Sequence, residues 1–495
     1  MEHIGHLIDG AGVAGSSGNT KPVFNPATGE QSAELAMASL AEVDAAIASS
    51  KAAFEEWRHV SLARRTKLMY AYRNLVEANQ DEIARRLTAE HGKVTSDAMG
   101  EVARGLENIE YACGIAEMLK GDYNSSASTG VDVYSVRQPL GVVAGITPFN
   151  FPAMVPLWMI PNALATGNTF ILKPSERDPS APMFIAELAQ EAGFPPGVFN
   201  VVNGDKLAVD RFLEHPDIKA VSFVGSSPIA QYVYETGTKN GKRVQALGGA
   251  KNHMIVLPDA DLNLAADAAV SAAYGSAGER CMAISVAVAV GDVADPLIEA
   301  IKVRMEKLVI GDGTDPASEM GPLITAEARD RVNDYVGQGV DAGATVVVDG
   351  RDANFDNDGF FTGVSLIDNV TPEMSVYQDE IFGPVLSIVR VDSYQQGVDL
   401  ISSNRWGNGA AIFTRDGGAA RKFQEDADAG MVGINVPIPV PVGYHSFGGW
   451  KDSLFGDTTM YGPEGVRFFT KAKVITSRWP DPSGSSVDLG FPTNQ

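Results

Sequence analysis

Short β-branched runs alternate with helical patterns from about Gly141 to Asn435, and nothing else in the chain constrains its fold as much. The first runs are Gly141 to Ile146, Thr169 to Leu172, Val198 to Val202 and Ala220 to Val224, with helices such as Ala181 to Glu191 and Ile229 to Tyr234 between them. After Val244 the alternation resumes through Met254 to Leu257, Ile284 to Val290, Ala344 to Val348, Val385 to Val391, Ala410 to Phe413 and Met431 to Asn435. Strands that alternate with helices make parallel sheets covered on both faces, so the expected class is α/β with two Rossmann-like parallel-sheet domains. The length of 495 residues supports that division, because single cores stop growing well below it.

The flanks read differently. From Ala41 to about Leu119 the spacing of Val43, Ile47, Phe54, Trp57, Leu68, Tyr72, Val76, Ile83 and Leu87 predicts a run of helices. A polar stretch from Gly121 to Gly130 breaks that run, and the β-rich Val131 to Arg137 follows it. Ala472 to Thr476 reads as a short closing strand, and the Pro/Gly/Ser-rich tail beyond it as loosely held.

Composition narrows the partners. A net charge of −23 argues against nucleic acid or an anionic membrane as the main partner, and no apolar run approaches a membrane span. Two cysteines, Cys113 and Cys281, imply no disulfide framework and suit a reducing compartment, so a cytoplasmic location is expected. No metal-ligand pattern is read.

The stretch Gly275-Ser276-Ala277-Gly278-Glu279-Arg280-Cys281 places one of those cysteines in a glycine-punctuated loop that enters the strand Ile284 to Val290. A thiol reacts as its thiolate, and a neighbour such as Arg280 would lower its pKa. Thr147-Pro148-Phe149-Asn150 closes another strand, where open α/β sheets bind ligands, and an asparagine NH2 there suits an oxyanion. Lys173 and Glu176 follow a third strand, where a carboxylate can accept both ribose hydroxyls and repels a 2′-phosphate, favouring NAD over NADP. Ser222 to Pro228 reads as strand, turn and helix start, offering free N–H groups to a pyrophosphate.

These segments, with Asn25-Pro26-Ala27-Thr28-Gly29 and Glu380-Ile381-Phe382-Gly383-Pro384, resemble the aldehyde dehydrogenase superfamily along nearly the whole chain. Arg104-Gly105-Leu106-Glu107, Gly121-Asp122-Tyr123 and Gly249-Ala250-Lys251-Asn252-His253 are most similar to its CoA-acylating methylmalonate-semialdehyde dehydrogenase group. The resemblance implies residues 1–121 and 140–247 as an NAD-binding domain and 248–450 as the catalytic domain. It implies 122–139 and 451–495 as a small β oligomerisation arm and C-terminal segment, in a homodimer or homotetramer. It also implies Cys281 as nucleophile and Asn150 as oxyanion donor, with Thr147, Phe149, Lys173, Glu176, Gly225, Ser226, Leu247, Glu380 and Phe382 around NAD. Arg104 and Arg280 are its candidates for a substrate carboxylate, since guanidinium grips carboxylate in two-pronged fashion. One position departs from the superfamily's hydrolytic members, which carry Glu before Leu-Gly-Gly to activate water. Here it is Ala246. A thiol needs less activation than water, which points to coenzyme A as acyl acceptor and to a malonate or methylmalonate semialdehyde as substrate. Glu279 remains as a possible substitute base; with one, the chain would be a hydrolytic dehydrogenase for another small aldehyde such as succinate semialdehyde.

Overall fold

The computed structural model describes residues 2–479; the expected loose tail lies mostly outside them. Helices Leu40–Trp57, Leu62–Ala78, Gln80–His91 and Thr95–Cys113 occupy the flank where periodicity placed them. The first starts at Ser39, whose hydroxyl accepts from Glu42 N–H while the Glu42 carboxylate accepts from Ser39 N–H, a reciprocal cap.

An eight-stranded sheet runs in the order Leu454–Phe455, Arg243–Leu247, Ile218–Val224, Val142–Ile146, Thr169–Lys173, Phe199–Val201, His6–Ile8, Ala11–Val13. Its five middle strands are parallel. Taken in chain order they lie 5-4-1-2-3, so the winding reverses between Val142–Ile146 and Ile218–Val224, and a crevice opens at their carboxyl ends.

A seven-stranded sheet follows, in the order Thr345–Val348, Ser365–Asp368, Val385–Val391, Ile284–Val290, Asn252–Val256, Gly409–Phe413, Met431–Ile434. All its pairs are parallel except that of Thr345–Val348 with Ser365–Asp368. Ser365–Asp368 escaped the sequence reading, because four residues with polar ends carry too little pattern to register.

Arg243–Leu247 ends one parallel array and Asn252–Val256 begins the other, only four residues later. The carboxyl ends of the first sheet therefore face the amino ends of the second, and the residues on both rims meet.

Thr470–Arg478, Val131–Pro139 and Tyr123–Ser128 form a separate three-stranded antiparallel sheet. The closing strand is nine residues long, longer than Ala472 to Thr476 suggested. Leu454–Phe455, which the sequence reading grouped with the arm and C-terminal segment, instead pairs antiparallel with the edge of the first sheet. No described helix is long and apolar enough to cross a membrane.

Candidate active site

The loop that carries Cys281 leaves helix Leu262–Tyr274 through a left-handed turn in which Ser276, Ala277 and Gly278 have φ of 54°, 51° and 72°. Residues with a Cβ pay roughly 1–2 kcal/mol each for that conformation, so the surroundings must hold it in place. A Cβ on Gly278 would lie 2.2 Å from the Gly383 carbonyl oxygen, which means the loop and the segment Glu380 to Pro384 touch backbone to backbone. From the second sheet, Asn252 Nδ2 and Asn408 Nδ2 donate to the Cys281 carbonyl at 3.0 and 3.3 Å. Neither asparagine's role is legible in the sequence, because nothing local marks an amide that works through a distant carbonyl.

Burial and the Glu380 carboxylate push the Cys281 thiol up to about 12, so the resting group is a thiol. Arg280 does not reverse this: its guanidinium lies against Gly275 and donates to Asp97 at 2.5 Å.

Asn150 is buried just past the strand Val142–Ile146. Its Nδ2 donates to the Glu279 carbonyl at 2.9 Å, leaving the second N–H of the amide for a ligand. Its own carbonyl accepts from Lys93 Nζ at 2.7 Å, and Lys93 is paired with Glu101 at 2.5 Å with both side chains fully buried. Glu101 in turn accepts the N–H groups of Ala153 and Met154, at the start of helix Met154–Ala165. The bonds from this ion pair to Asn150, Ala153 and Met154 cross more than 50 residues of sequence, so local pattern could not show them.

Asn150 and Cys281 line one cavity of about 410 Å³ together with Phe149, Gly225, Ser226, Gly248, Gly249, Glu380 and Phe382. That cavity sits at the switch point of the first sheet. Ser226 is the N-cap of helix Ser227–Lys239, in extended backbone with a proline in the first turn, so this helix start borders the cavity. Phe149 and Phe382 meet edge to face with ring centres 5.8 Å apart, and Phe382 holds φ of 56°. Glu380 accepts from Ala250 N–H at 2.9 Å, and burial lifts it to about 7. Its carboxylate fills the space a Cβ on Gly249 would need, at 2.3 Å.

Thr147 is buried beside the strand Thr169–Lys173, to whose Lys173 carbonyl its N–H donates at 3.1 Å, and its hydroxyl has no protein partner. Lys173 pairs with Glu176 at 3.2 Å, and Lys21 approaches Glu176 from the other side at 3.4 Å. Burial raises the Glu176 carboxyl, but Lys173, a backbone N–H and Lys21 together outweigh it and bring it to about 2. Leu247 is buried at the end of its strand and contributes its carbonyl to Gly225 N–H, at 3.1 Å, rather than a side chain to the cavity. Trp158 packs against Phe447 and Tyr461, with ring centres 5.1 and 5.7 Å away, so it is part of the core.

The two arginines have separate partners. Arg104 donates to Glu107 and to the carbonyls of Val440 and Pro441, at 3.0 to 3.1 Å. Arg280 reaches Asp97, two turns earlier on the same helix, Thr95–Cys113. Ala246 is fully buried in the sheet. Glu279 is equally buried: it accepts from Ile324 N–H and approaches His91 Nε2 at 3.8 Å, and burial raises it to about 8. It is therefore a protonated acid at neutral pH and does not line the cavity.

Known proteins share this fold. The aldehyde dehydrogenase family model matches residues 13–475. A malonate-semialdehyde dehydrogenase of Pseudomonas aeruginosa is 55% identical over the full length of both chains. A crystal structure of methylmalonate-semialdehyde dehydrogenase from Oceanimonas doudoroffii superposes with a TM-score of 0.96 at 55% identity, covering 98% of this chain and 99% of that one. A Sinorhizobium meliloti protein described as a methylmalonate-semialdehyde dehydrogenase and solved with NAD gives 0.96 at 53% identity, covering 97% and 99%. With Cys281, Asn150 and the Ser226 helix start around one cavity, and a family match spanning nearly all of its length, the chain belongs to the aldehyde dehydrogenase family.

Proposed function

We propose that this chain is an NAD-dependent, CoA-acylating dehydrogenase that oxidises and decarboxylates malonate semialdehyde and/or methylmalonate semialdehyde, giving acetyl-CoA or propionyl-CoA. The observation that carries the acylating half is Ala246: the position before Leu-Gly-Gly holds no carboxylate, and Glu279 is turned away and protonated. The names of the similar proteins support the substrate.

The residues divide the work. Cys281 Sγ adds to the aldehyde carbon, and the free N–H of Asn150 with the Cys281 backbone N–H holds the oxyanion. NAD fits the crevice: the Gly225-Ser226 turn takes the diphosphate, Glu176 with Lys173 the adenosine ribose, and Glu380 the nicotinamide ribose, with Phe149 and Phe382 flanking the ring. When bound it supplies the hydride acceptor. The acyl group then sits on Cys281 as a thioester, whose carbonyl takes up the electron pair as CO2 leaves the β-carboxylate. The enolate so formed takes up a proton at carbon, the CoA thiol gives up its proton and attacks the acyl carbon, and Cys281 leaves as thiolate. Semialdehyde anion, NAD+ and CoA thiol give acyl-CoA, CO2 and NADH with no net proton. Arg104 and Arg280 are assigned to the substrate carboxylate, which requires Arg280 to exchange Asp97 for substrate.

Residues 1–121 with 140–247 and residues 248–450 serve as the NAD-binding and catalytic units. The antiparallel arm is assigned to pairing between copies of this chain in a homodimer or homotetramer, and its exposed Tyr123 and Val474 support this. Two free cysteines and the absence of any long apolar helix among the described residues accord with a cytoplasmic location.

The test is NADH formation from each semialdehyde with and without CoA, with the acyl product assayed. CoA-dependent turnover to acetyl-CoA or propionyl-CoA is expected. Equal turnover without CoA, giving free acid, would place the chain on the hydrolytic branch.

A further inference from the structure

His91 ends helix Gln80–His91 and is fully buried, and neither of its ring nitrogens has a protein partner. Its ring stacks on Phe149, with centres 6.0 Å apart and planes 27° apart. Its Nε2 lies 3.8 Å from Glu279 Oε2, which is likewise buried and without a partner. A buried polar atom left unpaired costs about 1–3 kcal/mol, and three such atoms at one spot call for an explanation. Glu279 is also the residue whose backbone carbonyl holds the Asn150 amide, and Cys281 is two positions further on.

We propose that His91 and Glu279 form a buried, uncharged pair that positions the oxyanion amide of Asn150, with Glu279 donating its acid proton towards His91 Nε2. The gap of 3.8 Å is closed by a small rotation or by one bridging water. The chemistry of both groups fits. Burial keeps His91 neutral, so Nε2 can accept, and burial keeps Glu279 protonated up to about pH 8, so it has a proton to donate. The charged groups facing Glu279 are Lys93, Arg177 and Arg331, all cations that favour its ionised form, and burial outweighs them. With the acid proton in place, the Glu279 side chain is fixed at one oxygen by Ile324 N–H and at the other by His91, which fixes the carbonyl that Asn150 leans on. Above pH 8 the proton is lost, and a carboxylate stands unpaired behind the catalytic loop. His91 and Glu279 are positioning residues and touch no reacting atom. The inference rests on Asn150 as oxyanion donor and not on which aldehyde is oxidised or whether CoA is used.

Glu279→Gln keeps the shape, the Ile324 acceptor and a permanent N–H donor towards His91, and it cannot ionise. The kcat of NADH formation in this variant should match the parent at pH 7 and exceed it increasingly above pH 8. His91→Phe keeps the stacking ring but removes the acceptor, and should lower kcat about tenfold with KM for the aldehyde little changed. Combining it with Asn150→Ala should cost little beyond Asn150→Ala alone. A Glu279→Gln to parent ratio that stays flat from pH 6.5 to 9.5, or a His91→Phe effect fully additive with Asn150→Ala, would overturn the proposal. Loss of CoA dependence in the parent would sink the acylating reading while leaving these comparisons intact.

Discussion

At the scale of single residues, the resting Cys281 thiol is silenced by its surroundings. Burial and Glu380 both favour the Cys281 thiol over its thiolate, which is the reverse of what an adjacent arginine suggests. Iodoacetamide labelling of Cys281 in the free enzyme should therefore climb by about tenfold per pH unit from 7 to 10 without levelling. Glu380→Gln should speed labelling several-fold at pH 9, where the parent's Glu380 is charged, and leave it unchanged at pH 6, where that group carries its proton. Peptide mapping separates the signal from Cys113, which is buried in the helical flank. A plateau near pH 7 in the parent would contradict this account. Cys281 and Asn150 were legible in the sequence because glycines and prolines mark their loops at strand ends. The Lys93 bond to Asn150, the Arg280–Asp97 pair and the Asn252 and Asn408 donors were not. Each depends on partners brought from elsewhere in the chain, and a lone lysine or asparagine carries no sign of them.

Among the elements, the alternating strands were readable because a strand buried on both faces is a near-continuous apolar run, as Ile284–Val290 is apart from Ser285. The left-handed turn before Cys281 was only half readable. Its glycines were plain, but Ser276 and Ala277 sharing their conformation follows from the crossing with Gly383 and not from composition. That crossing has a mechanical consequence. In Gly278→Ala the new methyl meets backbone in a conformation that already disfavours it, so the loop and the Glu380 segment must part. The expected result is a loss of roughly 2 kcal/mol or more in urea unfolding and near-complete loss of NADH formation. Parent-like stability with full activity would show that the two backbones do not meet as described.

Over the whole molecule, two sheets place chemistry on the rims where they face each other, and a third carries no site residue. The three-stranded arm exposes Val474 at 67% and Tyr123 at 61%, unlike the buried strands of the two large sheets. Val474→Asp should shift the assembly towards single chains in light scattering while leaving the pH profile of Cys281 labelling as in the parent. An unchanged mass, or a parent that is itself a single chain, would remove the arm from that role. The net charge of −23 opposes association at low salt, so the measurement belongs near physiological ionic strength.

The four residues that carry the chain from one sheet to the other are tied down along their length. Gly248 N–H donates to Ser453, Gly249 N–H to Ser227 Oγ and Ala250 N–H to Glu380, while Lys251 Nζ donates to the carbonyls of Val376 and Asp379. So short a passage between two rigid layers is where a hinge would ordinarily sit, and these ties remove it. One bound nucleotide must then leave and the next reactant enter without the layers swinging apart at that point, so traffic through the cleft is left to side chains at its mouth, such as Arg177 and Glu327.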